Sequence, residues 1–414
     1  MTTSLQECVR RISVASVRLE QALEQVGHMD FSPDERKRFG PHMRHWHSET
    51  WFPTGLHSVS AVVAHELEPF QSGISRSMLD DAARCCSHCE RFTISGGRLR
   101  SLHGKKGKME ATASLIQRLH ASRPLPDLTV YASDHDVYQP PSGLRTVCER
   151  AGGIKGLRPP IIVHAKRETD RGLLAGVEST FFQSYGRNDA SWDIARAKLV
   201  AAGRAAEWSR RAERIYFRGS GSGYRKFLNY TNSGQTPLAG TDIWHSSPPY
   251  CDGSGQIIRA HEAADGRRPL SPRPSSPRHR CTPFVNMSSH CGNKHLLHLA
   301  GTWPGHSNRL KWLMVCGSVV VMPQNDWYEW WQLLLAPFET FVPTASIALA
   351  NGRDLPAVQR CLVQHGAEAQ RIADAARRFT EEALSELQQA RYMRALLTGY
   401  ATLQRKGHTV LVGG

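Results

Sequence analysis

Strand and helix patterns alternate along this sequence, and the alternation predicts an α/β protein built in layers. Three observations carry that expectation. The apolar run DLTVYA at 127–132 follows the helical pattern MEATASLIQRLH and is followed by the strand-like PPIIVHA at 159–165. The segment NRLKWLMVCGSVVVMP reads as a helix closed by Gly317 with a buried strand after it, a βαβ-like unit. Residues 354–405 place apolar side chains at three- and four-residue steps, the pattern of a helical tail. At 414 residues the chain is long enough for two domains, each burying its own core.

Element by element, residues 5–26 pattern as an amphipathic helix and 30–57 as an irregular His-, Trp- and Pro-rich connection. SVSAVVAHELEPF and SRSMLDDAARCCSHCERF are expected as helices, the second with Ser75 as its N-cap, and a short strand or turn is expected around TISGGRL. Pro124 and Pro126 end the helix that begins at Met109. The strand after them carries the acidic cluster SDHD at its carboxyl end. Residues 186–213 are helical and Arg-rich, and they run into the strand RIYFRG and the loop GSGSG. From 232 to 284 the sequence is low in complexity and includes ADGRRPLSPRPSSPRHR, so it is expected as a mobile insertion too polar and Pro-rich to pack. HCGNKHLLHLAG then reads as a strand followed by a turn.

Lys and Arg number 52 against 37 Asp and Glu, a formal charge of +15. That excess suits anionic partners, which include nucleic acid, a membrane surface and the diphosphate of a nucleotide sugar. The Arg residues are spread singly, as on an ordinary solvated surface, and no zinc-finger spacing, RNA-recognition signature or clustered basic helix supports nucleic acid. The longest strongly apolar stretches, WLMVCGSVVVM and WWQLLLAPF, fall short of the roughly 18–20 residues that a membrane-spanning helix needs, so no transmembrane segment is expected. The N-terminus lacks the continuous apolar core of a signal peptide and reads as a cytosolic start or a sequence missing its first exon. Ten cysteines are scattered along the chain. Cys86 and Cys89, with Cys85 and His88 beside them, have metal-ligand spacing but no second pair, so buried or disulfide-bonded thiols are expected there. His42, His45 and His47 are expected on an exposed polar loop, and no metal site is expected.

Several blocks resemble glycosyltransferase family 90, which groups the Rumi-like and KDEL-type protein O-glucosyltransferases with the fungal capsule-associated xylosyltransferases. The resemblance spans roughly residues 60–405, with a gap over 232–284. Its strongest part is HCGNKHLLHLAGTWPGHSNRLKWLMVCGSVVVMPQNDWYEWW, where the family has a lysine-containing strand, a Gly turn, an arginine, a helix, a second strand and an acidic ending. HELEPFQSGISRSMLDDA, LPDLTVYASDHD and WSRRAERIYFRGSGSGYRKFL resemble further blocks in the family's order, and RYMRALLTGYATL is similar to its ending. The resemblance implies a GT-B fold, with two Rossmann-like domains facing each other across a cleft and a C-terminal helical tail. Its expected divisions are an extension at 1–57, an acceptor-side domain at 58–195, a nucleotide-sugar domain at 196–380 and a final helix at 381–414.

Inverting transfer from a UDP-sugar needs a base on the acceptor hydroxyl, a group to hold the departing diphosphate and a site that excludes water. SDHD offers two carboxylates at a strand end, and the family alignment sets Asp136 on the catalytic aspartate, with Asp134 as the alternative. The loop after Gly301, with Thr302, Gly305 and Ser307, matches the family's diphosphate turn, and Arg309 matches the arginine that follows. Lys294 either contacts phosphate or lines its strand. Arg218, Gly219, Ser220 and Ser222 let a sugar or phosphate approach the backbone. Animal enzymes of the family often carry Arg where Gly221 stands, and Arg225 is the replacement cation in this chain. Glu329 matches a carboxylate expected near the nucleotide ribose or base, while Trp327, Trp330 and Trp331 suit core or stacking surface. The resemblance implies a UDP-sugar donor carrying glucose or xylose, a protein or glycan acceptor, no cofactor and no required metal. It also implies the lumen of the endoplasmic reticulum or Golgi, although the chain shows no retention tetrapeptide. The alternative is a non-catalytic relative that binds nucleotide sugar or glycan.

Overall fold

Ser58 and Ser75 each precede an apolar-periodic run, and in the computed structural model each caps a helix. The Ser58 hydroxyl accepts from the Ala61 N–H at 3.1 Å and starts α1, Val59–Leu67; Ser75 accepts from Met78 at 3.3 Å and starts α2, Arg76–Cys85. The remaining longer helices are α3 (Lys108–Ser122), α4 (Trp192–Ala205), α5 (Arg309–Met314), α6 (Leu355–Gln364), α7 (Gly366–Ala383) and α8 (Glu386–Val410). Residues 5–12 are helical as well. The structure describes residues 4–12, 55–86, 88–101, 108–133, 138, 140–141, 143–182, 191–220, 240–247, 285–299, 301, 307–323, 325, 327–344 and 354–410.

The chain forms two compact units, each assembled from three segments. Phe52–Ala195, Asp326–Leu335 and Ala383–Gly414 make one; Met1–Trp51, Arg196–Asn325 and Ala336–Glu382 make the other. The first unit is built on β1 (Cys89–Ser95), β2 (Arg98–Ser101), β3 (Leu128–Ser133), β4 (Ile161–Val163), β5 (Lys166–Arg167) and β6 (Leu174–Ala175). Its sheet runs β2-β1-β3-β4-β6, with β3, β4 and β6 parallel and the β1–β2 hairpin antiparallel at one edge. Gly96 and Gly97 turn that hairpin at φ 54° and 72°, the positive pair that a tight two-residue turn requires.

The sequence expects a helix through SRSMLDDAARCCSHCERF, and the structure ends it at Cys85. A Cys86–Cys89 disulfide closes a tight turn there, a Cys85–Cys148 disulfide ties the helix end down, and CERF enters β1. All eight described cysteines are disulfide-bonded, the other pairs being Cys8–Cys361 and Cys291–Cys316. Buried below the same sheet, Glu66 holds the Lys166 ammonium at 3.3 Å, the Tyr328 hydroxyl at 3.3 Å and the Ala175 N–H at 2.7 Å. Such a charge is tolerable inside a protein only because several donors surround it.

The second unit is an all-parallel sheet of β7 (Ala212–Ser220), β8 (Thr241–Ser247), β9 (Asn293–Leu297), β10 (Val319–Pro323) and β12 (Val342–Thr344). The intervening β11 (Trp327–Tyr328) belongs to the first unit, where it pairs antiparallel with β5. The spatial order is β12-β10-β9-β7-β8. The run VVVMP of β10 is wholly buried, as a strand covered on both faces must be. Ile215, Phe217, Val319 and Val321 pack with Leu5 and Val9 of the N-terminal helix and with Leu355 and Ile372 of α6 and α7. Within the span expected as an unpacked insertion, TDIWHSS forms β8; its Ile243 is buried and the strand adds to β7 along its length. Apart from Gly240, the rest of that span lies outside the described residues.

Helix α8 closes the first unit. Tyr392 donates to the Ala175 carbonyl and stacks face to face on Trp330, with centroids 3.9 Å apart. Near its end the helix meets a turn backbone to backbone: a Cβ on Gly73 would lie 2.6 Å from the Gly407 nitrogen, and one on Gly407 would collide with the Ile74 carbonyl. No helix among the described residues is long and apolar enough to cross a membrane.

Two stability predictions follow from these contacts. Gly407→Ala forces the helix away from rigid backbone and costs about 1–3 kcal/mol, read as a lowered Tm by calorimetry. His295 is buried in β9 beside the Gln359 amide oxygen at 2.9 Å, and burial lowers its pKa to about 4. The unfolded chain takes up that proton near pH 6.5, so stability falls as pH drops from about 6.5 towards 4. Urea unfolding at pH 7 and pH 5 should show the loss, and His295→Asn, which keeps a donor towards Gln359, should reduce it by about 1–2 kcal/mol.

Candidate functional site

In a parallel sheet all the carboxyl ends lie along one edge. Numbered in chain order, the strands of the parallel unit run 2-1-3-4-5, so the direction of winding reverses between β7 and β9. At such a reversal, the crevice outside the carboxyl ends of the two strands is where doubly wound sheets take ligands. The sequence delivers Arg218, Gly219 and Ser220 to the end of β7, and β9 leads through Leu299 to the buried Gly301. The β7–β8 register slips between Gly219 and Ser220, so the ladder breaks at this edge.

Arg309, the first residue of α5, reaches this edge. Its guanidinium lies 5.1 Å above the Phe217 ring, and a Cβ added to Gly219 would stand 2.5 Å from Arg309 Nη1. Only glycine at 219 lets the guanidinium settle on the strand end. Its Nη2 lies 3.2 Å from His290 Nε2, on the short helix Met287–Gly292 that precedes β9. Tyr216 presents its ring to His290 at 5.2 Å, edge to face.

Arg218 lies over the Tyr216 ring, 4.3 Å from its centroid. It donates to the Asp242 carboxylate at 2.7 Å, and to the Phe217 and Asp242 carbonyls at 2.9 Å each. Asp242 also pairs with Arg214 at 2.7 Å. Arg214 and Arg218 thus share one carboxylate, and Arg309 lies beside a neutral histidine. Burial, then Arg309, lower the pKa of His290 to about 4. The local balance is cationic, which suits an anionic group such as a phosphate.

The structure brings Arg218, Gly219 and Arg309 together, with Ser220 at the end of the same strand and Ser307 just before Arg309. Lys294 stands at the opposite, amino-terminal end of β9, ion-paired to Glu213 and 5.7 Å from the Trp208 ring. Glu329 belongs to the other unit and is buried; it accepts from Trp331 Nε1 at 3.0 Å and makes a capping box with Gln332. Trp330 and Trp331 are fully buried. Asp134, Asp136, Ser222, Arg225, Thr302 and Gly305 lie outside the described residues, although β3 ends at Ser133, immediately before Asp134. Among the described residues no group of three or more His, Cys, Asp or Glu side chains could hold a metal ion. Sequence reasoning missed His290 and Asp242; the first stood in plain view beside Cys291, while the second lay in the span dismissed as low in complexity.

The model of the glycosyl transferase family 90 matches residues 57–411. The chain is 23% identical over 356 residues to O-glucosyltransferase rumi of Drosophila pseudoobscura pseudoobscura, covering 83% of this chain and 77% of that protein. It is 24% identical over 364 residues to Protein O-glucosyltransferase 1 of Bos taurus, covering 85% and 83%. The human Protein O-glucosyltransferase 1 is 22% identical over 369 residues, with coverage of 85% and 83%. With the family's pattern running through both units, from α1 to the end of α8, the chain belongs to glycosyl transferase family 90.

Proposed function

We propose that this protein is an inverting transferase that moves glucose or xylose from a UDP-sugar to a hydroxyl of a protein or glycan acceptor, with its two units arranged as a GT-B enzyme. The observation that carries the reading is Arg309 laid on Gly219 at the winding reversal of the parallel sheet. That geometry suits an arginine that meets a diphosphate at the strand ends. The relatives' names, O-glucosyltransferases, support a sugar donor and a protein hydroxyl. The four disulfides among the described residues support an oxidising compartment, the lumen of the endoplasmic reticulum or Golgi.

In this reading Asp136, just beyond β3, takes the proton of the acceptor hydroxyl, and Asp134 is the alternative base. The hydroxyl oxygen attacks the anomeric carbon opposite the diphosphate. The bond to the diphosphate oxygen breaks and its electron pair leaves with UDP, which inverts the anomeric centre. Arg309, the 301–308 loop with Gly301, Thr302, Gly305 and Ser307, and the β7 end with Arg218, Gly219, Ser220, Ser222 and Arg225 hold the developing charge. Lys294, ion-paired to Glu213 at the opposite end of β9, is left out of this donor set, and Glu329 is proposed to stand near the nucleotide. No metal or cofactor is assigned a role.

The test is UDP release from several UDP-sugars by purified protein, with and without a chelator. Turnover that survives chelation supports the reading; UDP binding with no turnover on any donor would favour the non-catalytic relative. Asp136→Asn should lower kcat by about 10²–10⁴-fold while leaving UDP affinity intact. Gly219→Ala should push aside both the Arg309 head and the buried Phe217 ring, 2.5 and 2.9 Å from the added Cβ, weakening UDP about 10–100-fold in calorimetry and lowering Tm as well.

A further inference from the structure

An arginine that meets a phosphate must have its long side chain held in place, or each binding event must order it afresh. Arg309 stands at the start of a helix of only six residues, so its own helix gives the guanidinium little support. The support comes from the segment before β9.

The turn Met287–Gly292 is built to present one ring nitrogen. Asn286 caps it, its side-chain oxygen accepting from the Ser288 and Ser289 N–H groups at 2.8 and 3.3 Å. Asn293 Nδ2 donates to the His290 carbonyl at 3.2 Å. The Cys291–Cys316 disulfide bolts the turn to the residues that follow α5, so both ends of the His290–Arg309 contact are covalently tied. His290 Nδ1 lies 3.3 Å from the Asn286 carbonyl oxygen. A carbonyl can only accept, so Nδ1 carries the hydrogen and Nε2 presents a lone pair. That lone pair faces Arg309 Nη2 at 3.2 Å. The imidazole is 2% exposed, and the edge-on Tyr216 fixes its plane.

We infer that His290 is a positioning residue for the donor site: a neutral acceptor, locked in one tautomer by Asn286 and held by the Cys291–Cys316 disulfide, that orients the Arg309 guanidinium towards the diphosphate. The inference rests on the reading in which Arg309 holds that diphosphate. Burial and the nearby guanidinium keep the ring uncharged at neutral pH, which the acceptor role requires.

Calorimetric titration of the full chain with UDP tests it. His290→Ala should weaken UDP about tenfold. His290→Gln, whose amide oxygen reaches the place of Nε2, should recover affinity to within about threefold of the wild type. His290→Asn keeps the contact with Asn286 but cannot reach Arg309; it should lose as much as the Ala variant and stands in for it if that variant fails to fold. In the Arg309→Ala background, loss of His290 should change UDP affinity no further. Equal losses with and without Arg309, no recovery by Gln, or wild-type affinity in the Ala and Asn variants would each overturn the positioning role. If Arg309→Ala itself binds UDP like the wild type, the diphosphate reading falls and this inference with it. If Arg309→Ala weakens UDP while His290→Ala does not, only the inference falls.

Discussion

The approach of a guanidinium to bare backbone at the end of β7 is the constraint around which the parallel unit is arranged. A charged head can rest on a strand end only where no Cβ stands in the way and where neighbouring groups take up its hydrogens. Gly219 clears the space, Phe217 gives the cation an aromatic face, and His290 offers a lone pair. Each of these groups is delivered by a different part of the chain: β7, the turn before β9, and the start of α5. The sheet order sets the end of β7, with the start of α5 against it, where the direction of winding reverses between β7 and β9. Disturbing the strand order would scatter the cluster even if every residue were kept.

The other unit follows a different logic. Its sheet is mixed, and its interior holds Glu66 with Lys166, Tyr328 and the Ala175 N–H around it. A buried carboxylate of this kind adds little net stability, since desolvation offsets most of the attraction. It does fix which groups meet: β5, β6 and β11 all supply partners to one side chain of α1. At its outer end Tyr328 also touches Glu168, which the His65 ring holds with a pKa raised chiefly by that hydrogen bond. The short return of the chain through Trp327 and Tyr328 thus has a physical reason, because it brings the hydroxyl that Glu66 needs.

Much of this was legible in the sequence, for reasons that vary by element. Ser58 and Ser75 announced their helices because a hydroxyl before an apolar-periodic run has one favourable use. Gly317 marked the end of α5 because the chain turns there with φ 63°, which glycine adopts without strain. FRGS and Arg309 were singled out from a resemblance, and the fold sets them side by side. The failures have causes too. The helix expected through Cys89 overlooked that two cysteines three apart can close a turn. β8 was hidden because Thr241–Ser247 is a brief apolar island in a polar span, and only its pairing along β7 makes it a strand. His290 gave no signal, since one histidine in a strand-forming block looks like any other until the guanidinium it faces is known. The excursion Asp326–Leu335 into the first unit could not be read from local pattern, because it is a fact about long-range packing.

The bond between Cys8 and Cys361 joins positions 353 residues apart. On a ribosome the amino-terminal helix emerges first, yet Leu5 and Val9 must wait for α6 and α7 before their side of the sheet can be covered. The other unit waits as well, since α8 follows all of its other elements in the chain. Neither half can mature while translation is under way. The nascent chain therefore carries exposed apolar surface and the unpaired thiol of Cys8 until α6 to α8 have been made, a state in which chaperones and a disulfide isomerase have the most to do.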